Sequence, residues 1–191
     1  SGAGYDEIDG GPGADIINSG DNNDIVRGGD GNDSILGGSG YDRIFGGDGN
    51  DTINGQSDPD TIYGNAGTDI LIGEAGNDTI GGGLGNDLIS GGADSDTISG
   101  GEDDDIIAGD GGNDTITGDS GSDTLRGNDG NDAIQGNDGN DTIDGGAIAF
   151  IGDGGDADEL TALVGAARFR SNRDLSAPVT PNVVEIDCPS P

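Results

Sequence analysis

Histidine, lysine, methionine and tryptophan are absent from the 191 residues, and Cys188 is the only cysteine. Without His and Lys, general-base, Schiff-base and Ser-His chemistry lose their usual carriers. A Zn²⁺ or Cu²⁺ centre has no nitrogen ligands and one sulfur to draw on. Aromatic residues make up 3% of the chain and hydrophobic residues of all kinds 29%, too few for a layered globular core. No apolar run is long enough to span a bilayer, so membrane insertion is not expected. Six arginines face 39 acidic residues, a formal charge of −33, which excludes nucleic acid and anionic membrane surfaces as partners. Cys188 sits in a Pro-rich tail, where an intermolecular disulfide and a free thiol both stay open.

What the chain has instead is glycine, 43 residues of it, and aspartate in strict register. The phrase GGDGNDTIN, Gly46 to Asn54, returns every nine residues. Counting Gly46 as position one, position six is Asp in sixteen repeats out of sixteen: Asp6, Asp15, Asp24, Asp33, Asp42, Asp51, Asp60, Asp69, Asp78, Asp87, Asp96, Asp105, Asp114, Asp123, Asp132 and Asp141. Position eight is Ile, Val or Leu throughout, from Ile8 to Ile143, and no insertion breaks the register between Ser1 and Asp144.

Each part of the phrase has a physical role. Glycine in the first positions reaches the positive φ that a tight turn needs. Where position four is not Gly it is Asn22, Asp58, Asp94 or Asp103, the residue types that best tolerate left-handed backbone. The last three positions, such as Thr52-Ile53-Asn54, alternate outward, inward, outward as a very short strand. Turn and strand at a short fixed period predict an all-β solenoid. Two repeats make one 18-residue coil with strands on two opposed sheets, and residue i lies over residue i+18 about 4.7–4.9 Å away.

That stacking sorts the aspartates into two files of eight, with seven gaps in each and fourteen gaps in all. Like charges at strand spacing repel, so neither file is tenable without a counter-ion. A hard divalent cation in each gap resolves the repulsion, the carboxylates and glycine-exposed turn carbonyls forming an all-oxygen shell. Six to eight flexible oxygens suit Ca²⁺ better than Mg²⁺. Up to about fourteen Ca²⁺ ions are therefore expected, and with a core one residue wide the metal-free chain is expected to be disordered.

The phrase resembles the G-G-x-G-x-D-x-U-x nonapeptide of the RTX (repeats-in-toxin) proteins, a calcium-binding repeat. The resemblance implies a right-handed parallel β-roll over 1–144, with Ca²⁺ held between the turns of repeats n and n+2. It also implies a ligand set: the position-six carboxylates with backbone carbonyls of positions one to four, such as Gly28, Gly29, Asp30 and Gly31, or Gly46, Gly47, Asp48 and Gly49. The repeat at 55–63, GQSDPDTIY, departs most, having lost two glycines and gained Pro59.

Other stretches carry weaker signals. Ile70, Leu88 and Ile106 should stack into an outward apolar ridge on one sheet, with Thr61, Thr79, Thr97 and Thr115 in file on the other, and Phe45 should stack over Tyr63. These are either half-exposed strand residues chosen for β-propensity or an interface. Ser1 already stands at position one, so either an upstream segment or a second molecule is expected to cover the first coil. Residues 145–191 read either as an irregular C-terminal cap or as a docking tail whose last strand adds to the exposed edge of a second molecule. Within it AIAFI (147–151) is a last strand and DGGDADELT (153–161) a degenerate repeat with Asp158 and Leu160 in the sixth and eighth slots. The stretch 159–174 reads as a short amphipathic helix interrupted by Gly165, its arginines Arg168, Arg170 and Arg173 either seating it on the acidic roll or standing as ordinary surface residues; 183–187 reads as a strand.

No pocket-sized insertion breaks the repeat and its regular carboxylates are committed to metal, so the chain is not expected to be an enzyme. Two functions remain. One is an extracellular calcium-binding structural protein that self-associates end to end into a filament, matrix or surface layer. The alternative is the folding and secretion module of a larger type I secreted enzyme, toxin or adhesin.

Overall fold

A computed structural model describes residues 2–146 throughout, and beyond them the strand backbone at 148–152, 159–160 and 168–170. Among these described residues the chain is entirely strand and turn. It begins with β1 (Gly2–Ala3), β2 (Glu7–Pro12), β3 (Ile16–Asp21), β4 (Ile25–Asp30), β5 (Ser34–Ser39), β6 (Arg43–Asp48) and β7 (Thr52–Ser57). Next come β8 (Thr61–Ala66), β9 (Ile70–Ala75), β10 (Thr79–Leu84), β11 (Leu88–Ala93), β12 (Thr97–Glu102), β13 (Ile106–Gly111) and β14 (Thr115–Ser120). The last are β15 (Thr124–Asp129), β16 (Asn131–Asp138), β17 (Thr142–Asp144), β18 (Ile148–Gly152), β19 (Glu159–Leu160) and β20 (Arg168–Arg170).

Odd-numbered strands form one ten-stranded sheet and even-numbered strands the other, every neighbouring pair parallel. The 18-residue coil is read directly from the register, in which Ile53 lies opposite Leu71 and Leu71 opposite Ile89. This is the expected parallel β-solenoid, of about eight turns across the repeats.

The strands are longer than the three residues expected. β7 takes in positions seven to nine and runs on through positions one to three of the next repeat, Gly55 to Ser57. The pairing passes over position one: Asn54 faces Ile72 and Gln56 faces Glu74, with Gly55 and Gly73 left between the paired residues. Positive φ at the following residue makes this tolerable. Gln56, with φ 81°, and Glu74, with φ 75°, adopt it without being glycine, and so do Asn22, Asp58, Asp94 and Asp103 at position four. The turn chemistry expected of position four therefore holds, and position two shares it.

Position eight supplies the core. Fifteen of its side chains, Ile17 to Ile143, are buried in one continuous stack, and Ile8 packs half-buried against its end. Alternation does the rest: in most six-residue strands only the second and fourth residues are buried, the apolar side chain at position eight and the residue at position one. Among the described residues no second apolar layer stands behind this file.

The outward-facing residues lie where the spacing put them. Leu88 pairs with Ile70 on one side and Ile106 on the other, each side chain between 41% and 48% exposed. Thr61, Thr79, Thr97 and Thr115 run in register on the opposite sheet. Phe45 and Tyr63 stack with ring centroids 5.7 Å apart, and the Arg27 and Arg43 guanidiniums flank the Phe45 ring.

Past the last regular repeat the ladder continues with one residue removed. Ile134 faces Ile151 and Ile143 faces Leu160, so Leu160 does fall in an eighth slot. The helix expected over 159–174 is not formed where the structure describes it, since 159–160 and 168–170 are strands. The open edges of β17 and β18 offer unpaired backbone groups, and pairing with them outweighs the modest helical amphipathicity around Gly165. Asp158, Arg173, the strand expected at 183–187 and Cys188 lie outside the described residues.

Because each core side chain is part of a single file, truncating one should be costly. Ile98→Ala in calcium-loaded protein is expected to lose about 2–5 kcal/mol in a urea unfolding titration. Thr97→Ala, on the exposed face beside it, should stay within about 0.5 kcal/mol. Equal effects would contradict a core confined to position eight.

Candidate metal centre

Position six closes each turn immediately before a strand begins, except that Asp132 already lies within β16. From Asp24 to Asp141 these side chains are no more than 3% exposed, and Asp6 and Asp15 in the first coil are half-buried. One carboxylate oxygen is used in the same way along both files. The backbone N–H of Asp42 donates to Oδ1 of Asp60 at 2.8 Å, and that of Asp51 to Oδ1 of Asp69 at 2.7 Å. The pattern runs from Asp6 donating to Asp24, at 2.7 Å, through Asp123 donating to Asp141, at 2.9 Å. Each aspartate is thus tied to the coil before it through Oδ1.

The other oxygen has no such partner. Oδ2 of every position-six aspartate from Asp15 to Asp132 is buried without a hydrogen-bond donor. Wherever position one is glycine, this oxygen lies beside the position-one residue of its own repeat. A Cβ placed on Gly37 would fall 2.8 Å from Asp42 Oδ2 and 2.7 Å from the Gly55 carbonyl oxygen of the next coil. The same two oxygens, carboxylate and next-coil carbonyl, crowd Gly10, Gly28, Gly46, Gly64, Gly82 and Gly100. These are the residues the strand pairing passes over. Position one is glycine so that acceptor oxygens from two coils can converge where a side chain would otherwise sit.

The expected carbonyl ligands separate on this geometry. The Gly28 carbonyl converges with Asp15 Oδ2 over Gly10, and the Gly46 carbonyl with Asp33 Oδ2 over Gly28. A Cβ on Gly29 or Gly47 would strike the position-two carbonyl of the preceding coil, and one on Gly31 or Gly49 the position-four carbonyl, so those carbonyls point along the stack. The Asp30 and Asp48 carbonyls already accept N–H groups from Gly13 and Gly31, both at 2.6 Å, and are shared with the ladder. Among the described residues no three acidic, His or Cys side chains gather into one cluster. Any cation here depends on backbone carbonyls as much as on carboxylates. A buried oxygen without a donor, an adjoining carbonyl and an all-oxygen donor set fit Ca²⁺.

The repeat at 55–63 keeps this geometry despite its substitutions. Asp60 is 3% exposed with Oδ2 unpartnered, and Gln56 and Asp58 supply the positive φ that glycine gives elsewhere.

A second file, at position five, was not anticipated. Asn23 Oδ1 accepts the Tyr41 N–H at 3.1 Å, Asn50 Oδ1 that of Thr68 at 3.0 Å, and Asn113 Oδ1 that of Asn131 at 2.9 Å. These bonds run opposite to the aspartate bonds, from the later coil back to the side chain of the earlier one. The recurrence of Asn at position five, as in Asn32, Asn77 and Asn86, was the available signal.

Comparison with known proteins agrees with the geometry. The model of the RTX calcium-binding nonapeptide repeat matches segments 1–26, 27–62, 45–80, 54–89, 81–116 and 117–147. The chain belongs to the RTX repeat family. No curated protein matches it closely enough to say more. The RTX repeats with their stacked aspartates imply calcium binding.

The cost of the RTX roll without metal shows in the carboxyl groups. Burial pushes Asp42, Asp51 and Asp123 up from 3.8 to about 6, and Asp60, Asp87, Asp96 and Asp105 to about 7. The N–H donated by the preceding coil pulls the other way, and neighbouring carboxylates such as Asp78 and Asp114 around Asp96 add to the rise. Asp69, Asp78, Asp114 and Asp132 move in the same direction, with burial the main cause. A carboxyl raised in the folded state binds protons that the unfolded chain has released. Its contribution favours the metal-free roll below about pH 4 and is lost as pH rises through about 6 to 7. Chelated protein should accordingly gain strand signal in circular dichroism on acidification across that window. Calcium added near neutral pH should release protons, measurable by comparing binding heats in buffers of different ionisation enthalpy. A metal-free strand signal that rises with pH would contradict the sign.

Proposed function

We propose that this chain is an extracellular calcium-folded rod with a structural role, the ions acting as interior staples and not as catalytic groups. The observation that carries the reading is the buried, donorless Oδ2 repeated from Asp15 to Asp132. Each would leave a charge or a proton stranded in the roll at neutral pH, and a divalent cation satisfies two successive coils at once. Bound calcium supplies positive charge and an oxygen-binding centre; the aspartates and position-one carbonyls would hold it. Seven gaps in each file give up to about fourteen ions, enough to neutralise most of the formal charge of −33. Binding and folding are then one reaction, since the single-file core offers little else to set against chain entropy.

Millimolar extracellular calcium matches the weak end of calcium modules, at about 10⁻⁴–10⁻³ M, while cytosolic calcium would leave the chain unfolded. That arrangement suits export as an unfolded polymer followed by folding outside. The structural role is supported by the regularity of the roll and by the exposed ridge of Ile70, Leu88 and Ile106, a contact surface for a second copy.

The test is a calcium titration of chelated protein followed by circular dichroism and light scattering. Strand signal should appear cooperatively with calcium, and scattering should rise to ordered assemblies. Strand signal already complete without metal at neutral pH would refute calcium-driven folding. A calcium-folded monomer that does not associate would instead favour the folding and secretion module of a larger secreted enzyme, toxin or adhesin. Asp96→Asn, which keeps the Oδ1 acceptor but removes the charge, should raise the calcium midpoint and lower the number of ions bound.

A further inference from the structure

Position one is glycine in every repeat from Gly10 to Gly145 with one exception, Ser19. Ser19 lies in β3, fully buried, where the other repeats leave space between a position-six carboxylate and the next coil's carbonyl. Its hydroxyl donates to the Gly37 carbonyl oxygen and approaches that of Leu36 at 3.3 Å. Gly37 is the residue eighteen positions on, and its carbonyl corresponds to the Gly55 carbonyl that faces the open space at Gly37 itself. Ser19 thus does two things at this one place. Its Cβ and Oγ occupy the volume that glycine keeps clear, and its proton occupies a carbonyl lone pair that would otherwise face a cation. The Asp24 carboxylate of the same repeat still takes the Asp6 N–H through Oδ1, at 2.7 Å, so the coil-to-coil hydrogen bond survives.

We infer that Ser19 closes the cation position between the Asp24 and Asp42 coils, its side chain filling that position and its hydroxyl taking up the Gly37 carbonyl. The inference rests on the calcium reading above and adds to it that the positions are not equivalent. An O–H held between coils carries no positive charge. It satisfies the Gly37 carbonyl without calcium while Asp24 Oδ2 stays buried without a donor, and it leaves the file one ion short, at a point that no longer depends on the external calcium concentration. The substitution is also cheap where it stands. It costs one internal position and requires no change in the register of β3 on β5, where Asn18 faces Leu36 and Gly20 faces Gly38 as in the other coils.

Ion counting by native mass spectrometry on calcium-saturated protein tests it, with circular dichroism confirming equal strand content in each variant. Ser19→Gly restores the residue used at the other junctions and should bind one ion more than the unsubstituted chain. Gly64→Ser places the same side chain in an open position and should bind one fewer. An unchanged count in Ser19→Gly overturns the inference, and a reduced count overturns it too, because it would make the hydroxyl a ligand. Ser19→Gly decides the matter alone if Gly64→Ser does not fold. Calcium absent from every form would instead sink the calcium reading itself, so the two failures are distinguishable.

Discussion

The structure depends on a conflict between a good hydrogen bond and a bad burial. Each position-six aspartate is drawn into the roll because its Oδ1 takes the N–H of the preceding coil, a bond repeated from Asp24 to Asp141. Accepting that bond places Oδ2 where no donor exists. Burying a carboxylate costs far more than one hydrogen bond to it returns. The raised carboxyl groups from Asp42 to Asp132 record the imbalance, with desolvation ahead of every other cause. A fold of this kind is incomplete as a polypeptide. Its balance is restored by protons in acid or by divalent cations at neutral pH, and the two compete for the same oxygens.

Glycine at position one makes the second solution available. The strand ladder passes over this residue, so its carbonyl escapes the sheet and meets the carboxylate of the coil before it. A side chain of any size would fill the meeting place. Elsewhere in the turn glycine is a convenience and not a necessity: Asn, Asp, Gln and Glu all accept positive φ at positions two and four. Backbone conformation therefore tolerates variation, whereas the space beside the carboxylate is kept almost without exception, and Ser19 is informative for that reason.

The sequence made the main features legible because the period did the work. Asp at position six and Ile at position eight, spaced by nine without interruption, gave the coil length, both sheets, the core file and the carboxylate file. The apolar ridge at Ile70, Leu88 and Ile106 followed from the same arithmetic. What the period could not show was the use of each polar atom. That Oδ1 is spent on a backbone N–H, leaving Oδ2 for metal, depends on side-chain direction. So does the position-five file, whose Asn residues read in sequence as ordinary turn formers. Past Asp144 the period drops a residue, and over 159–174 the local pattern in the sequence is helical. There an open sheet edge dominated, as strands at 159–160 and 168–170 show.

The two files of side-chain bonds run in opposite senses, and their difference explains how the roll tolerates its worst repeat. Position-five side chains accept from the coil ahead; position-six side chains accept from the coil behind. Pro59 has neither an N–H to donate towards residue 41 nor a side-chain acceptor for residue 77, so the outer file is broken at this residue. Asp58 bridges part of that gap, its Oδ2 accepting the Gly40 N–H at 3.1 Å. The inner file crosses the same junction unchanged, with Asp42 donating to Asp60 and Asp60 to Asp78. An exposed side-chain bond on the rim competes with water and can be exchanged at small cost. A buried carboxylate shared between coils has no such substitute, which is why the turn residues at positions two to five vary while the sixth residue is aspartate in every repeat.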